Sequence, residues 1–189
     1  MIDRRRLFLI RHADPEIVAN VASADWHLSG RGLERAKTLA STIRPVAVQQ
    51  IYSSVERKAM QTAEVFGAIF RVPIMPVPGL HEHDRKGTAL LPADVFHKTM
   101  RSFFSQPAVC VFGNESADEA RTRFERALLP LVQDGIGDIV VVTHGTVLTL
   151  AVAERCKLDP FHFWQRLGLP SAVSLTVPDM TLEQVTSVN

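Results

Sequence analysis

An arginine and a histidine follow directly on an apolar run, Leu7-Phe8-Leu9-Ile10 and then Arg11-His12. A second histidine ends a second such run, Ile139-Val140-Val141-Val142-Thr143 and then His144-Gly145. A neutral imidazole is a competent nucleophile around its ordinary pKa of about 6.5, and a guanidinium offers an anion a rigid fork of donors. Two imidazoles and a guanidinium brought to one place therefore suit an anionic substrate and a nucleophile that needs no cofactor. A histidine after a strand is, taken alone, more often a hydrogen-bonded loop residue; here the two occurrences support each other. Ala13 and Gly145 are small enough for backbone N–H groups to approach an anion.

Further charged groups lie between them. The stretch Ser53-Ser54-Val55-Glu56-Arg57-Lys58-Ala59-Met60-Gln61-Thr62-Ala63 reads as a strand end opening a helix, and a helix N-terminus favours a negative group. With Val55, Ala59, Ala63, Phe66 and Phe70 as the apolar stripe, Lys58 lies roughly 100° off the stripe centre and Arg57 on the far side. Lys58 is therefore the better candidate for a site cation, with Arg57 beside it. Next comes Leu80-His81-Glu82-His83-Asp84-Arg85. His81, Glu82 and His83 invite a metal reading, but side chains so close in sequence seldom all face one ion, and no cysteine ligand is near. Glu82 as a general acid/base is the stronger reading.

The elements that must position these groups follow from periodicity. Residues 7–11 and 139–143 read as buried strands, short and continuously apolar, and ligands of a parallel sheet bind outside the carboxyl ends of its strands. Residues 13–28 form a loop bordering the site. Ser29 caps a helix with apolar face Leu33, Ala36, Leu39, Ala40 and Ile43, stopped by Pro45. Val48 to Ser53 reads as a strand, and Ser54 as the cap of a helix to about Phe70. Val72 to Val77 is a strand interrupted by prolines and so suited to an edge. Residues 79–115 break the rhythm, as a lid or substrate-facing insert does, and carry one amphipathic helix near 93–105. Ser116 and Glu119 form a capping box for a helix ending near Gln133, before Asp134-Gly135. A helix from Gly145 to about Leu158, a short aromatic helix opened by Pro160 (Phe161 to Leu167), and a hairpin of Val173 to Val177 with Leu182 to Val188 complete the chain. The alternation predicts one α/β domain, a three-layer sandwich with a mostly parallel central sheet flanked by helices.

Composition narrows the partners. The 189 residues can bury a substantial core, and 46% hydrophobic with 22% charged residues is ordinary globular usage. A formal net charge of +1 gives no field for nucleic acid or a membrane surface, and Arg4-Arg5-Arg6 reads as a solvated lead-in to the first strand. Two cysteines, Cys110 and Cys156, make no disulfide framework; Cys156 reads as a small apolar filler. No secretory h-region and no membrane-length apolar run is present, so a soluble cytoplasmic protein is expected. Gly30-Arg31-Gly32 lacks the third glycine and the preceding strand of a dinucleotide site. Phe103, Phe104, Phe161, Phe163 and Trp164 suit core packing or a homodimer contact better than a substrate wall. Trp26 is placed either to touch substrate or to anchor its loop.

Taken in order, these segments resemble the histidine phosphatase superfamily, in its phosphoglycerate mutase-like branch. The Arg-His signature matches Leu9-Ile10-Arg11-His12, and the family's Leu-Ser-x-x-Gly matches Leu28-Ser29-Gly30-Arg31-Gly32. Its Ser-x-x-x-Arg-Ala-x-x-Thr-Ala matches Ser54 to Ala63, with Lys58 in the arginine's place. Leu80-His81-Glu82, Glu115-Ser116 with Arg123, and His144-Gly145 match the remaining motifs. The resemblance implies a phosphoglycerate mutase-like fold, His12 as phosphate acceptor, Glu82 as proton donor, and Arg11, Lys58 and a protonated His144 as the phosphate pocket, with no cofactor and no metal. It implies hydrolysis of a small phosphate monoester through phospho-His12.

Three positions depart from the pattern: Ala13 replaces the usual glycine, Pro15 a phosphate-contacting hydroxyl, and Lys58 the arginine. A point charge cannot reproduce a bidentate guanidinium clamp; Arg57 or Arg85 is placed to compensate, beside Gly145 in the phosphate site. Three rivals stand beside the phosphatase reading. A mutase must shield its phosphoenzyme from water, which the compact insert disfavours. A weakly catalytic binding or regulatory protein on this fold rests on Lys58. A metal hydrolase rests on His81, Glu82 and His83.

Overall fold

Side chains of β1 (Arg6–Arg11) alternate between two apolar layers: Leu7 and Leu9 face one, Phe8 and Ile10 the other. A strand covered on both faces has no polar side to show, which is why its sequence is continuously apolar. β4 (Ile139–Thr143) does the same and pairs with β1 in parallel, Leu7 opposite Ile139 and Arg11 opposite Thr143. The computed structural model describes residues 5–133 and 136–188; Arg4 of the basic run and Asp134-Gly135 lie outside the described residues.

β2 (Ile51–Ser53) and β3 (Ile74–Pro76) continue the parallel sheet outward from β4, with β3 at the edge. β5 (Ser171–Thr176) pairs antiparallel with β1, and β6 (Leu182–Ser187) antiparallel with β5. The order across the sheet is β3-β2-β4-β1-β5-β6. α1 (Gly30–Thr42) and α2 (Arg57–Phe70) cover one face around Ile10, Leu39 and Phe66. α4 (Ala117–Gln133), α5 (Gly145–Cys156) and α6 (Pro160–Arg166) cover the other around Leu9, Phe124 and Leu148, joined by α3 (Ala93–Ser105). The predicted three-layer α/β arrangement is therefore present. The chain leaves β1 toward the α1 face and leaves the adjacent β4 toward the α5 face. This is a topological switch point, the place at the carboxyl ends of the strands where open α/β sheets bind ligands. His12 and His144 follow those two ends.

The caps match their residues. Ser29 Oγ accepts from Gly32 N at 3.0 Å, and a Cβ on Gly32 would stand 2.2 Å from the Asp14 carbonyl oxygen, so that glycine lets α1 start against the active loop. Ser116 and Glu119 form the reciprocal box, with Ser116 N to Glu119 Oε2 at 2.8 Å and Glu119 N to Ser116 Oγ at 3.2 Å.

Several expectations fail for local reasons. The second strand is Ile51–Ser53, not Val48 to Ser53, because Asp138 captures the lead-in: its Oδ2 accepts from Val46 N at 2.8 Å. α2 begins at Arg57 with Glu56 as N-cap, not at Ser54. Val55 therefore precedes the helix and is exposed, and Lys58 is buried on the inner face rather than its flank. Leu33 is exposed while Gly32 fills the buried position. The expected core packing holds for the aromatic residues: Phe103, Phe104 and Phe161 are buried, with Phe163 and Trp164 packed against the same cluster. Within 79–115, Leu80, Met100 and Phe103 belong to the main core.

Candidate active site

His12 sits one residue beyond β1, and its ring orientation is set locally: Nδ1 lies 2.8 Å from the Ala13 carbonyl oxygen. A carbonyl can only accept, so Nδ1 carries the proton and Nε2 holds a lone pair. Burial, then coupling to the neighbouring His144 ring and the cations Lys58 and Arg11, pushes the His12 pKa well below its ordinary value, against the Ala13 hydrogen bond. His12 is thus a neutral imidazole with one nitrogen free to attack. Ala13 N, expected as an anion donor, is instead spent on Thr62 Oγ1 at 3.1 Å.

The His144 ring lies edge-on to His12, with centroids 5.1 Å apart. Its Nε2 is 2.7 Å from Ser54 Oγ. Ser54 Oγ also accepts from Glu56 N at 3.2 Å. His144 Nδ1 is buried and has no partner. The expectation of a resting imidazolium is corrected: burial and then Lys58 hold the His144 pKa well below its ordinary value, against Glu82. A neutral ring still supplies one N–H donor.

Arg11 packs across the start of α5. Its NH1 donates to Leu167 O at 2.7 Å, and Nε is buried without a partner. A Cβ on Gly145 would come within 2.9 Å of that Nε, so the glycine is there to admit the guanidinium. A buried donor without an acceptor costs about 1–3 kcal/mol, and an anion arriving at Arg11 Nε would satisfy it.

Lys58 is 6% exposed, and Nζ donates to Ser23 O at 2.7 Å and to Glu56 Oε2. Arg57 is exposed at the first residue of α2; among the described residues no hydrogen bond or ion pair joins it to this cluster, so the structure does not bring it to the phosphate site. Arg85 is brought in, with NH2 on Thr146 Oγ1 at 3.0 Å and 4.0 Å from Glu82 Oε2.

Glu82 lies at the N-terminus of α5. Oε1 accepts from His83 N at 2.9 Å and Val147 N at 3.3 Å, and Oε2 from Thr146 N at 3.1 Å. Burial would push this carboxyl up, but Arg85 and the N–H groups of His83 and Thr146 outweigh it and hold it well below the usual carboxylate range. Glu82 is an ionised acceptor at rest. Its loop is braced by Arg123, which donates to the carbonyls of Gly79 (2.7 Å), His81 (3.0 Å) and Glu82 (3.1 Å) and pairs with Glu115 at 2.6 Å. The metal reading does not fit this loop. His83 spends Nε2 on Glu115 O at 2.9 Å and Nδ1 on Arg85 Nε at 3.1 Å, and no group of three or more metal-ligating side chains forms among the described residues.

Three participants escaped the sequence reading. Ser54 reads as a cap and instead bonds His144 Nε2 across the sheet. Thr146 holds Arg85. Glu56 looks like one of a solvated Glu-Arg-Lys run, yet it is 10% exposed, and its Oε1 accepts from Glu82 N at 2.8 Å. Trp26 is a loop anchor, its indole N–H shared between Val18 O at 3.2 Å and Val21 O at 3.1 Å.

With this geometry in place, the comparisons decide the family. Residues 7–189 match the histidine phosphatase superfamily, branch 1. The chain belongs to that superfamily. It is 30% identical over 151 residues to a probable phosphatase of Schizosaccharomyces pombe, an alignment covering 74% of this chain and 52% of the relative; the chain thus spans about half the length of that protein. Its fold is shared with a mycobacterial glucosyl-3-phosphoglycerate phosphatase (TM-score 0.74, 19% identity, covering 98% of this chain and 99% of the other). It is shared also with a phosphoserine phosphatase of Entamoeba histolytica solved with 3-phosphoglyceric acid (TM-score 0.75, 20% identity, 98% of each chain). No helix among the described residues is long and apolar enough to cross a membrane.

Proposed function

We propose that this histidine phosphatase superfamily member hydrolyses a small phosphate monoester through a phosphohistidine on His12. The observation that carries the reading is the locked ring of His12, with Nδ1 on the Ala13 carbonyl and a neutral Nε2 beside Arg11, Lys58 and His144. Nε2 attacks phosphorus in line while the ester P–O bond breaks. Ser54 donates to His144 Nε2 and leaves the ring proton on Nδ1; Arg11 Nε and His144 Nδ1, both without a partner in the protein, and the Lys58 ammonium then take the charge on the equatorial oxygens. The family resemblance makes Glu82 the proton donor, yet at rest it is ionised. The proton for the leaving oxygen therefore arrives with the substrate, whose monoanion persists up to a second pKa of about 6, and passes through Glu82. In the second half Glu82 accepts a proton from the water that attacks phospho-His12, and orthophosphate leaves.

The chain acts as one domain in the cytoplasm, with 79–115 setting specificity at the mouth of the crevice. The test is phosphate release from an aryl phosphate at mildly acidic pH, with vanadate as inhibitor. Wild type should turn over and bind vanadate, and His12→Ala should not turn over. Equal inactivity of both proteins, with no vanadate binding, would end this reading.

A further inference from the structure

We propose that Glu56 is a positioning residue that aims the Lys58 ammonium at the phosphoryl group, so that this pocket is built around a lysine with its own carboxylate. The proposal rests on the phosphatase reading above and adds a residue to it. An ammonium has three N–H donors and rotates freely on a flexible stem. Here two are tied down, one to Ser23 O at 2.7 Å and one to Glu56 Oε2. One donor is left, and its direction is fixed by the other two.

The same carboxylate reaches the rest of the machinery. Its Oε1 accepts from the backbone N–H of Glu82 at 2.8 Å and lies 3.7 Å from His144 Nε2. Glu56 thus fixes the cation relative to the acid/base loop and the second histidine. Stability alone gives little reason for it, because a buried ion pair is often no better than apolar residues of the same volume. Substrate attraction gives a reason against it, since a carboxylate in a phosphate pocket repels the ligand. Directing Lys58 resolves both points. An arginine at position 58 would not improve matters while Glu56 is present. Its fork would pair in bidentate fashion with that carboxylate and withdraw donors from the phosphate.

A directing role for Glu56 produces a reversal of sign that a purely structural role does not. Glu56→Gln, Lys58→Arg and the double variant are compared with wild type in kcat and KM on an aryl phosphate, in vanadate affinity by calorimetry, and in thermal unfolding. Each single variant should lose about 10- to 100-fold in kcat/KM and in vanadate affinity, the scale of one charge-assisted hydrogen bond. The double variant should recover above both singles, because an arginine freed of the carboxylate clamps phosphate itself. Additive losses that track the unfolding temperature would overturn the proposal, as would tighter vanadate binding by Glu56→Gln. Wild type that turns over through His12 but ignores Glu56 overturns this proposal alone; wild type that neither turns over nor binds vanadate removes the reading beneath it as well.

Discussion

His12 and His144 end neighbouring parallel strands and were alike in sequence, yet they are tied down by opposite nitrogens. His12 gives its Nδ1 proton to the carbonyl of the next residue and presents a bare Nε2. His144 is held at Nε2 by Ser54 and leaves Nδ1 without a partner. Position at a strand end brings both rings together; in the proposed mechanism the partner of the far nitrogen divides the work, one ring for attack and the other for donation.

Four changes would break or sharpen that division, beginning with the largest effect. His12→Ala removes the only lone pair assigned to attack and should reduce turnover by more than about 1000-fold, measured as kcat with the fold checked by circular dichroism. Glu82→Gln should cost about 100- to 10,000-fold in kcat/KM on an alkyl phosphate and far less in kcat/KM on a nitrophenyl ester, whose leaving oxygen needs no proton; an equal loss in kcat/KM, which ends at phosphorylation of His12, would separate Glu82 from protonation of the leaving group. His144→Gln should cost about 100-fold in kcat by removing one donor to the developing charge. Ser54→Ala should cost about 10-fold, because His144 is then free to place its proton on the wrong nitrogen. If Ser54→Ala matched His144→Gln in size, the tautomer would account for everything His144 contributes.

The two rings also share one property, and it has a sign. Both are buried neutral with pKa values pushed below that of an exposed imidazole, first by burial. The unfolded chain therefore takes up protons before the folded one does. Their stabilising contribution is complete above about pH 6.5 and declines as pH falls toward the depressed folded values. Urea unfolding of wild type should weaken below that pH, and His144→Gln should flatten the decline.

Much of this frame was legible beforehand, and the failures share a cause. The buried strands announced themselves because a strand covered on both faces must be continuously apolar, and the Ser29 and Ser116 caps because their side chains bond locally. Glu82 and Arg123 were found through motif order, although the carbonyl brace that explains Arg123 depends on contacts across more than 40 positions, from Gly79 (separation 44) to Glu82 (separation 41). Ser54 has the appearance of a cap, and only its distant partner, His144, gives it another use. Glu56 and Lys58 stand two apart, a spacing that does not pair on a regular helix. They meet because Glu56 precedes the first turn, and a one-dimensional stripe places Val55 there instead. Where a side chain bonds its neighbours, local pattern suffices; where it bonds across the crevice, the fold must be seen.

The most direct measurement is trapping of the covalent intermediate. Enzyme mixed with a radiolabelled monoester should be quenched in alkali, which preserves phosphohistidine, then digested and mapped. The account predicts label on His12 alone, attached through Nε2, appearing within one turnover and absent from His12→Ala. Label on another residue, attachment through Nδ1, or turnover with no label at any time would contradict it.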